Sequence, residues 1–205
     1  MVKIKALILA ADHKNTIPSC FNLTVGFVNL LEYHLKLLKL LGFKSKEICI
    51  VAGKNEKWQS LYTQIDSKYK LFKIDNLNKR SFISLKNFCE EEFDNLSDSL
   101  LILNANCFFE LKDLSNLLEN KNPKALSFMI NNTNYQSLEL INQNNKIAKI
   151  NKKPNKIPYL SYAGALFLNK EQITKIKNFK KCPNKAYIDV LINDLKFDLE
   201  IVKLW

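Results

Sequence analysis

The chain opens on an apolar run, Lys3 to Ala10, and passes into a polar stretch from Asp12 to Thr16. A run of this length, apolar on successive positions, predicts a strand covered on both faces, as in a parallel sheet, with a polar turn after it. Apolar residues then recur at helical spacing through Leu41. Asn29 stands at the N-cap of that helix, Glu32 at the capping-box position, and Gly42 supplies the stop. Glu47 to Ala52 reads as a second strand closing at Gly53, and Lys57 to Ile65 as a helix. The alternation continues with a short strand at Leu71 to Ile74, a helix capped by Ser81 and running through Phe93, and a buried strand at Leu100 to Leu103. A helix from Asp113 to Leu118 and a strand from Ala125 to Ile130 come after it. This order predicts parallel strands joined by right-handed helical crossovers, with ligands expected beyond the carboxyl ends of the strands.

Beyond Asn131 the pattern changes. Gln136 to Ile141, Lys146 to Ile150 and Tyr162 to Leu168 read as short strands with Asn-rich turns. Helices near Gln172 to Asn178 and Ala186 to Leu195 come next, and a last strand at Leu199 to Leu204. No repeat, linker or Gly/Pro-rich tract interrupts the chain. The fold predicted is α/β: a Rossmann-like, mostly parallel sheet flanked by helices in three α/β/α layers, formed by residues 1–205 as one domain.

Composition narrows the function classes. The chain has 205 residues, 47% of them hydrophobic, enough for one sizeable core. Its apolar runs fall short of the roughly 18 to 20 residues that span a bilayer, and the N-terminus lacks a signal h-region, so a cytoplasmic protein without a membrane span is expected. Cys20, Cys49, Cys89, Cys107 and Cys182 stand singly, which predicts reduced, mostly buried thiols and neither a disulfide framework nor a zinc site. The formal net charge is +11, yet Arg80 is the one arginine. Lysine bias without arginine forks argues against nucleic-acid recognition. Between Lys146 and Lys185 eleven lysines face a single acid, Glu171. That stretch is either a solvated face or an electropositive surface for a phosphorylated ligand or an acidic protein partner. His13 and His34 are the only histidines; His34 falls inside the capped helix as a packing or surface residue, and His13 has no visible catalytic partner. There is no Asp-x-Asp. The acids Glu90, Glu91, Glu92 and Asp94 read as a solvated face.

Taken in order, several segments resemble the sugar-phosphate nucleotidyltransferase family, especially its phosphocholine cytidylyltransferase-like branch. The opening ALILAA resembles that family's first strand, Val28 to Phe43 its G-K-P-L-L-E-Y helix, and EICIVAG at Glu47 to Gly53 its second strand. Asn76 to Leu85 is similar to an Asn-rich loop entering a Ser-Leu helix start, and Leu100 to Phe109 to the strand that normally ends in Gly-Asp. Lys146 to Pro154 resembles I-x-x-I-x-E-K-P, and Ser161 to Leu168 resembles S-x-x-G-x-Y-x-F. The resemblance spans essentially the whole chain and implies the nucleotidyltransferase (GT-A-like) fold. Residues 1–130 would form a nucleotide-binding half and residues 131–205 an acceptor-side half, which either ends natively at Trp205 or is cut short there.

The resemblance also implies where ligands bind. Ala10, Ala11, Asp12, Lys14, Asn76 and Asn78 are the nucleotide-binding candidates, Lys153 and Gly164 the acceptor-binding candidates, and Asn106 holds the position of the family's metal-binding aspartate. The departures are as informative. The family's Gly-rich, arginine-containing phosphate loop is represented by Asp12-His13-Lys14-Asn15-Thr16, without glycine or arginine. Its Pro-Lys pair falls at Ser19-Cys20, its Gly-Asp at Ala105-Asn106, and the Glu of its Glu-Lys-Pro at Lys152. Backbone N–H groups approach phosphate most closely where glycine permits it, and an amide lacks the charge that magnesium seeks. The expectation is a weakly active or non-catalytic relative acting by ligand or partner binding. The alternative is an active cytidylyl- or nucleotidyltransferase, with Mg2+ as cofactor, that moves CMP or NMP from an NTP to a phosphorylated alcohol or sugar in surface-polysaccharide assembly.

Overall fold

A computed structural model describes residues 4–10, 23–53, 69–74, 81–91, 99–131, 138–152, 154, 156–181, 183 and 185–204. The helix expected at Lys57 to Ile65, the turn at Asp12 to Thr16 and the end of the Ser81 helix at Phe93 lie outside the described residues.

Strands β1 (Ile4–Leu9), β4 (Ile48–Gly53), β5 (Lys70–Ile74) and β6 (Ser99–Asn104) are mutually parallel, with β1 between β4 and β6. Next to β6 runs the long β10 (Tyr159–Asn169), antiparallel to it, and beyond that β7 (Lys124–Ile130) and β11 (Glu200–Lys203), which run parallel to each other. The hairpin of β8 (Glu139–Gln143) and β9 (Lys146–Asn151) completes the order β5-β4-β1-β6-β10-β7-β11-β9-β8, and Glu139 of β8 also pairs with Ser161 of β10. The parallel α/β arrangement expected from the alternation is present in β5-β4-β1-β6, while the sheet as a whole is mixed, with β10 and β9 running against the other strands. A separate small ladder, β2 (Thr24–Val25) with β3 (Val28–Asn29), leads into the first helix.

Helices α1 (Leu30–Leu40) and α3 (Leu111–Leu118) cover one face of the sheet, where Leu31, Leu35, Leu38, Leu114 and Leu117 pack with Ile8, Ile50 and Leu103. Helices α2 (Ser81–Glu91) and α4 (Lys170–Asn178) cover the other. With them lies the short α5 (Tyr187–Asp189), and Phe82, Leu85, Phe88, Ile173, Ile176 and Leu191 pack there with Leu7, Val51 and Ile102. Neighbouring residues such as Leu7 and Ile8 thus feed opposite layers, the period-2 rule of a strand buried on both sides. Each such leucine or isoleucine, fully buried, contributes about 1.5 to 3 kcal/mol.

The N-cap at Asn29 and the stop at Gly42 hold at α1. Asn29 accepts a hydrogen bond from the Glu32 amide at 2.9 Å, and the helix ends with Gly42 at φ +89 while the amides of Gly42 and Phe43 donate to Lys39 and Leu38. These are the paired bonds of a Schellman stop, which favours glycine at the left-handed position. Other boundaries move. Helix α3 starts at Leu111 rather than Asp113, because the Asp113 carboxylate reaches back to the Glu110 amide and brings the preceding residues into the helix. Strand β8 (Glu139–Gln143) runs on past Ile141, because the hairpin turns on Asn144 and Asn145, both at positive φ, and so pairs Gln143 with Lys146; the expected start at Gln136 lies outside the described residues. Strand β10 begins at Tyr159, earlier than Tyr162. The helix expected at Ala186 to Leu195 is an α-turn that widens into a π-helical turn over Val190–Asp194, with the Leu195 amide on the Val190 carbonyl.

Candidate ligand site at the strand ends

The carboxyl ends of β1, β4 and β6 are joined one residue beyond their ladders. The Ala10 amide donates to the Val51 carbonyl and the Ala105 amide to the Leu9 carbonyl, each at 3.0 Å. Both alanines are buried, so the two strand ends pass close together. After β6 the chain turns sharply, with the Cys107 amide on the Asn104 carbonyl at 3.1 Å, and Asn106 is exposed on this turn.

Three elements hold the turn. Strand β10 reaches it through Gly164, which adopts φ +91 where the β10–β7 register shifts between Tyr162 and Leu166. A Cβ added at Gly164 would overlap the Cys107 sulfur, stand 3.0 Å from the Cys107 Cβ and 3.3 Å from the Asn104 Cβ. The space that a side chain would take there is filled by Cys107, so the glycine serves a close approach of β10 to the β6 turn.

Helix α1 grips the turn from the first layer. The Tyr33 hydroxyl donates to the Phe109 carbonyl at 2.9 Å, the Tyr33 ring stacks on Phe108, and His34 Nε2 lies 2.8 Å from the Cys107 carbonyl. A carbonyl only accepts, so Nε2 carries the hydrogen and Nδ1, buried without a partner among the described residues, is the bare nitrogen. Burial lowers the imidazole pKa from 6.5 to about 4, with the Cys107 hydrogen bond opposing. His34 is therefore an interior, neutral group and not a surface one.

On the opposite layer, Tyr187 at the start of α5 donates to Asn104 Oδ1 at 3.0 Å, and its hydroxyl in turn is hydrogen-bonded to that of Tyr162. Burial raises the pKa of both phenols. It also pushes the Cys107 thiol up to about 11, against a hydrogen bond to Asn104 that lowers it, so the sulfur stays protonated and is no nucleophile at neutral pH. At the end of α5, the buried Asp189 carboxylate accepts from Asn193 Nδ2 at 2.7 Å and pairs with Lys152 at 2.8 Å.

Of the residues predicted from the sequence, Ala10, Asn106 and Gly164 come together at this edge. Ala11, Asp12, Lys14, Asn76, Asn78 and Lys153 lie outside the described residues. Sequence reasoning misses Asn104, Tyr162, Tyr187, Asp189 and Asn193. One signal is available: Asp189 sits in the apolar run Tyr187 to Ile192, where a carboxylate needs a partner.

A magnesium ion takes hard oxygen ligands, carboxylates first. The position that the sequence resemblance assigns to the metal carries the neutral Asn106 amide, and Asp189 is committed to Lys152 and Asn193. Among the described residues no group of three or more His, Cys, Asp or Glu side chains comes together. The described part of this edge does not fit the ion.

Neither a protein-family model nor a curated protein sequence matches the chain. Solved structures do. The inositol-1-phosphate CTP transferase from T. maritima superimposes with a TM-score of 0.74 at 12% identity, over 98% of this chain and 85% of that one. CTP:phosphocholine cytidylyltransferase from Streptococcus pneumoniae gives 0.70 at 19% identity, over 100% and 91%. UDP-glucose pyrophosphorylase complexed with UDP-glucose gives 0.71 at 14%, over 99% and 90%. The class of fold is thus that of the sugar-phosphate nucleotidyltransferases, over nearly the full length of the chain. Among the described residues no helix is long and apolar enough to cross a membrane.

Proposed function

We propose that the chain uses this fold to bind a nucleotide or a phosphorylated small molecule at the carboxyl edge of β1 and β6, with nucleotidyl transfer weak or lost. The observation that carries the reading is the turn after β6. It is built and braced from three sides, and it carries Asn106 at the position where the sequence resemblance puts an anionic metal ligand. The sequence of the Asp12 to Thr16 loop, without glycine or arginine, points the same way. Among the described residues, lysines of the basic stretch are engaged within the chain, as in Lys146–Asp198, Lys152–Asp189, Lys175–Glu171 and Lys185–Asp194. That favours a small anionic ligand over an acidic protein partner. The competing reading is an active cytidylyltransferase of surface-polysaccharide assembly, supported by neighbours named as CTP transferases.

Calorimetry separates the two. CTP with magnesium should bind in the millimolar range or more weakly, about −4 kcal/mol at most. A micromolar dissociation constant that requires magnesium overturns the proposal.

A further inference from the structure

A carboxylate with 3% of its side chain exposed must be compensated where it sits, or it loses its charge. Asp189 is compensated twice. Asn193 Nδ2 donates to its Oδ1, and Lys152 Nζ lies 2.8 Å from its Oδ2. Asn193 is itself fixed, since its amide group accepts from the Ile150 N–H at 3.2 Å and donates to the Ile150 carbonyl at 3.1 Å, as a neighbouring strand would. The π-helical turn is thereby fastened to the end of β9, two residues before Lys152. The segment leading into it is anchored to the β6 turn through Tyr187 and Asn104.

Lys152 is the exposed half of this pair, with 54% of its side chain accessible. An ammonium has three donors, and the bond to Asp189 uses one of them. Its accessible part faces water, and the contact with buried Asp189 restrains its tip, which lowers the cost of ordering it against an incoming anion. Exposed Lys149 and Lys156 flank it in sequence and add to the positive potential.

We infer that Lys152, held by Asp189 and Asn193, contacts the phosphate group of the bound ligand. The site therefore selects an anion at a position where the family resemblance places a glutamate. This rests on the proposed binding function.

The test must separate the lysine from the fold, because Lys152→Met alone leaves Asp189 buried and unpaired. The comparison is therefore between Asp189→Asn, which keeps the lysine, and the double variant Lys152→Met/Asp189→Asn, with melting curves confirming that both fold. Phosphocholine and CTP, each without metal, are titrated calorimetrically, so that an acceptor-like ester and a nucleotide are both tried as the source of the phosphate. With at least one of them the double variant should bind at least tenfold more weakly than Asp189→Asn, and Lys152→Arg/Asp189→Asn should stay within threefold of it. Equal affinity of the double and single variants for both probes overturns this inference alone. Failure of the wild type to bind either probe overturns the binding function as well.

Discussion

Gly164→Ala is expected to cost the fold about 3 kcal/mol, the sum of a left-handed backbone imposed on an L-residue and an overpacked contact. Both contributions are local to the β6 turn. The φ of +91 is unfavourable for alanine in any surroundings, and the added methyl would meet the Cys107 sulfur and Cβ with the Asn104 Cβ close behind. The Cys107 Cβ cannot simply withdraw, because the backbone that carries it is tied through its carbonyl to His34 and through its amide to Asn104. Urea melts of wild type, Gly164→Ala and Gly164→Ala/Cys107→Ala measure the two parts. Removing the sulfur should restore about half of the loss and leave the backbone part. A loss below about 0.5 kcal/mol for Gly164→Ala would mean that β10 does not approach the turn in this way.

Acid should loosen the same turn from the other layer. His34 takes up a proton in the native chain only near pH 4, against about 6.5 when exposed. Between these values the unfolded chain binds the proton and the native chain does not. The stability that neutral His34 permits is complete above about pH 6.5 and is lost as the pH falls toward 4, by roughly 3 kcal/mol in all. His34→Gln keeps a donor for the Cys107 carbonyl but does not titrate. The stability difference between wild type and this variant should shrink or reverse by about that amount from pH 7 to pH 4, the carboxylates contributing equally to both chains. Parallel stability curves for the two proteins would show that His34 is not buried uncharged.

The first half of the fold is legible because its signals are local. The cap at Asn29, the stop at Gly42 and the doubly covered runs of β1, β4 and β6 are each written within a few neighbouring residues. Beyond Asn131 the elements depend on distant partners. Nothing in the run Tyr159 to Asn169 states that it lies antiparallel to β6, or that it must bulge at Gly164 to clear Cys107. The apolar pattern ends β8 too early, at Ile141, because two asparagines at positive φ set the hairpin register instead. The edge where Ala10, Ala105-Asn106 and Gly164 lie is legible through the resemblance as a candidate site, and its braces are not. Tyr187 meets Asn104 across 83 positions of sequence. Asn193 acts as a strand toward Ile150, and an asparagine read alone gives no hint of that.

The central claim is that a nucleotidyltransferase fold is retained here with its metal position neutralised, and it is tested most directly by pyrophosphate release. The assay takes CTP and magnesium with phosphocholine and a panel of phosphorylated alcohols and sugar phosphates. It compares wild type, Asn106→Asp, and a variant that also carries glycines and an arginine in the Asp12 to Thr16 loop. Asn106→Asp supplies the carboxylate that magnesium prefers, so it should tighten metal binding. Repair of one ligand leaves the loop unrepaired, and neither wild type nor Asn106→Asp should release pyrophosphate above background, with turnover appearing only when the loop is restored as well. Robust pyrophosphate release by the wild-type chain would contradict the account and make this protein an active nucleotidyltransferase.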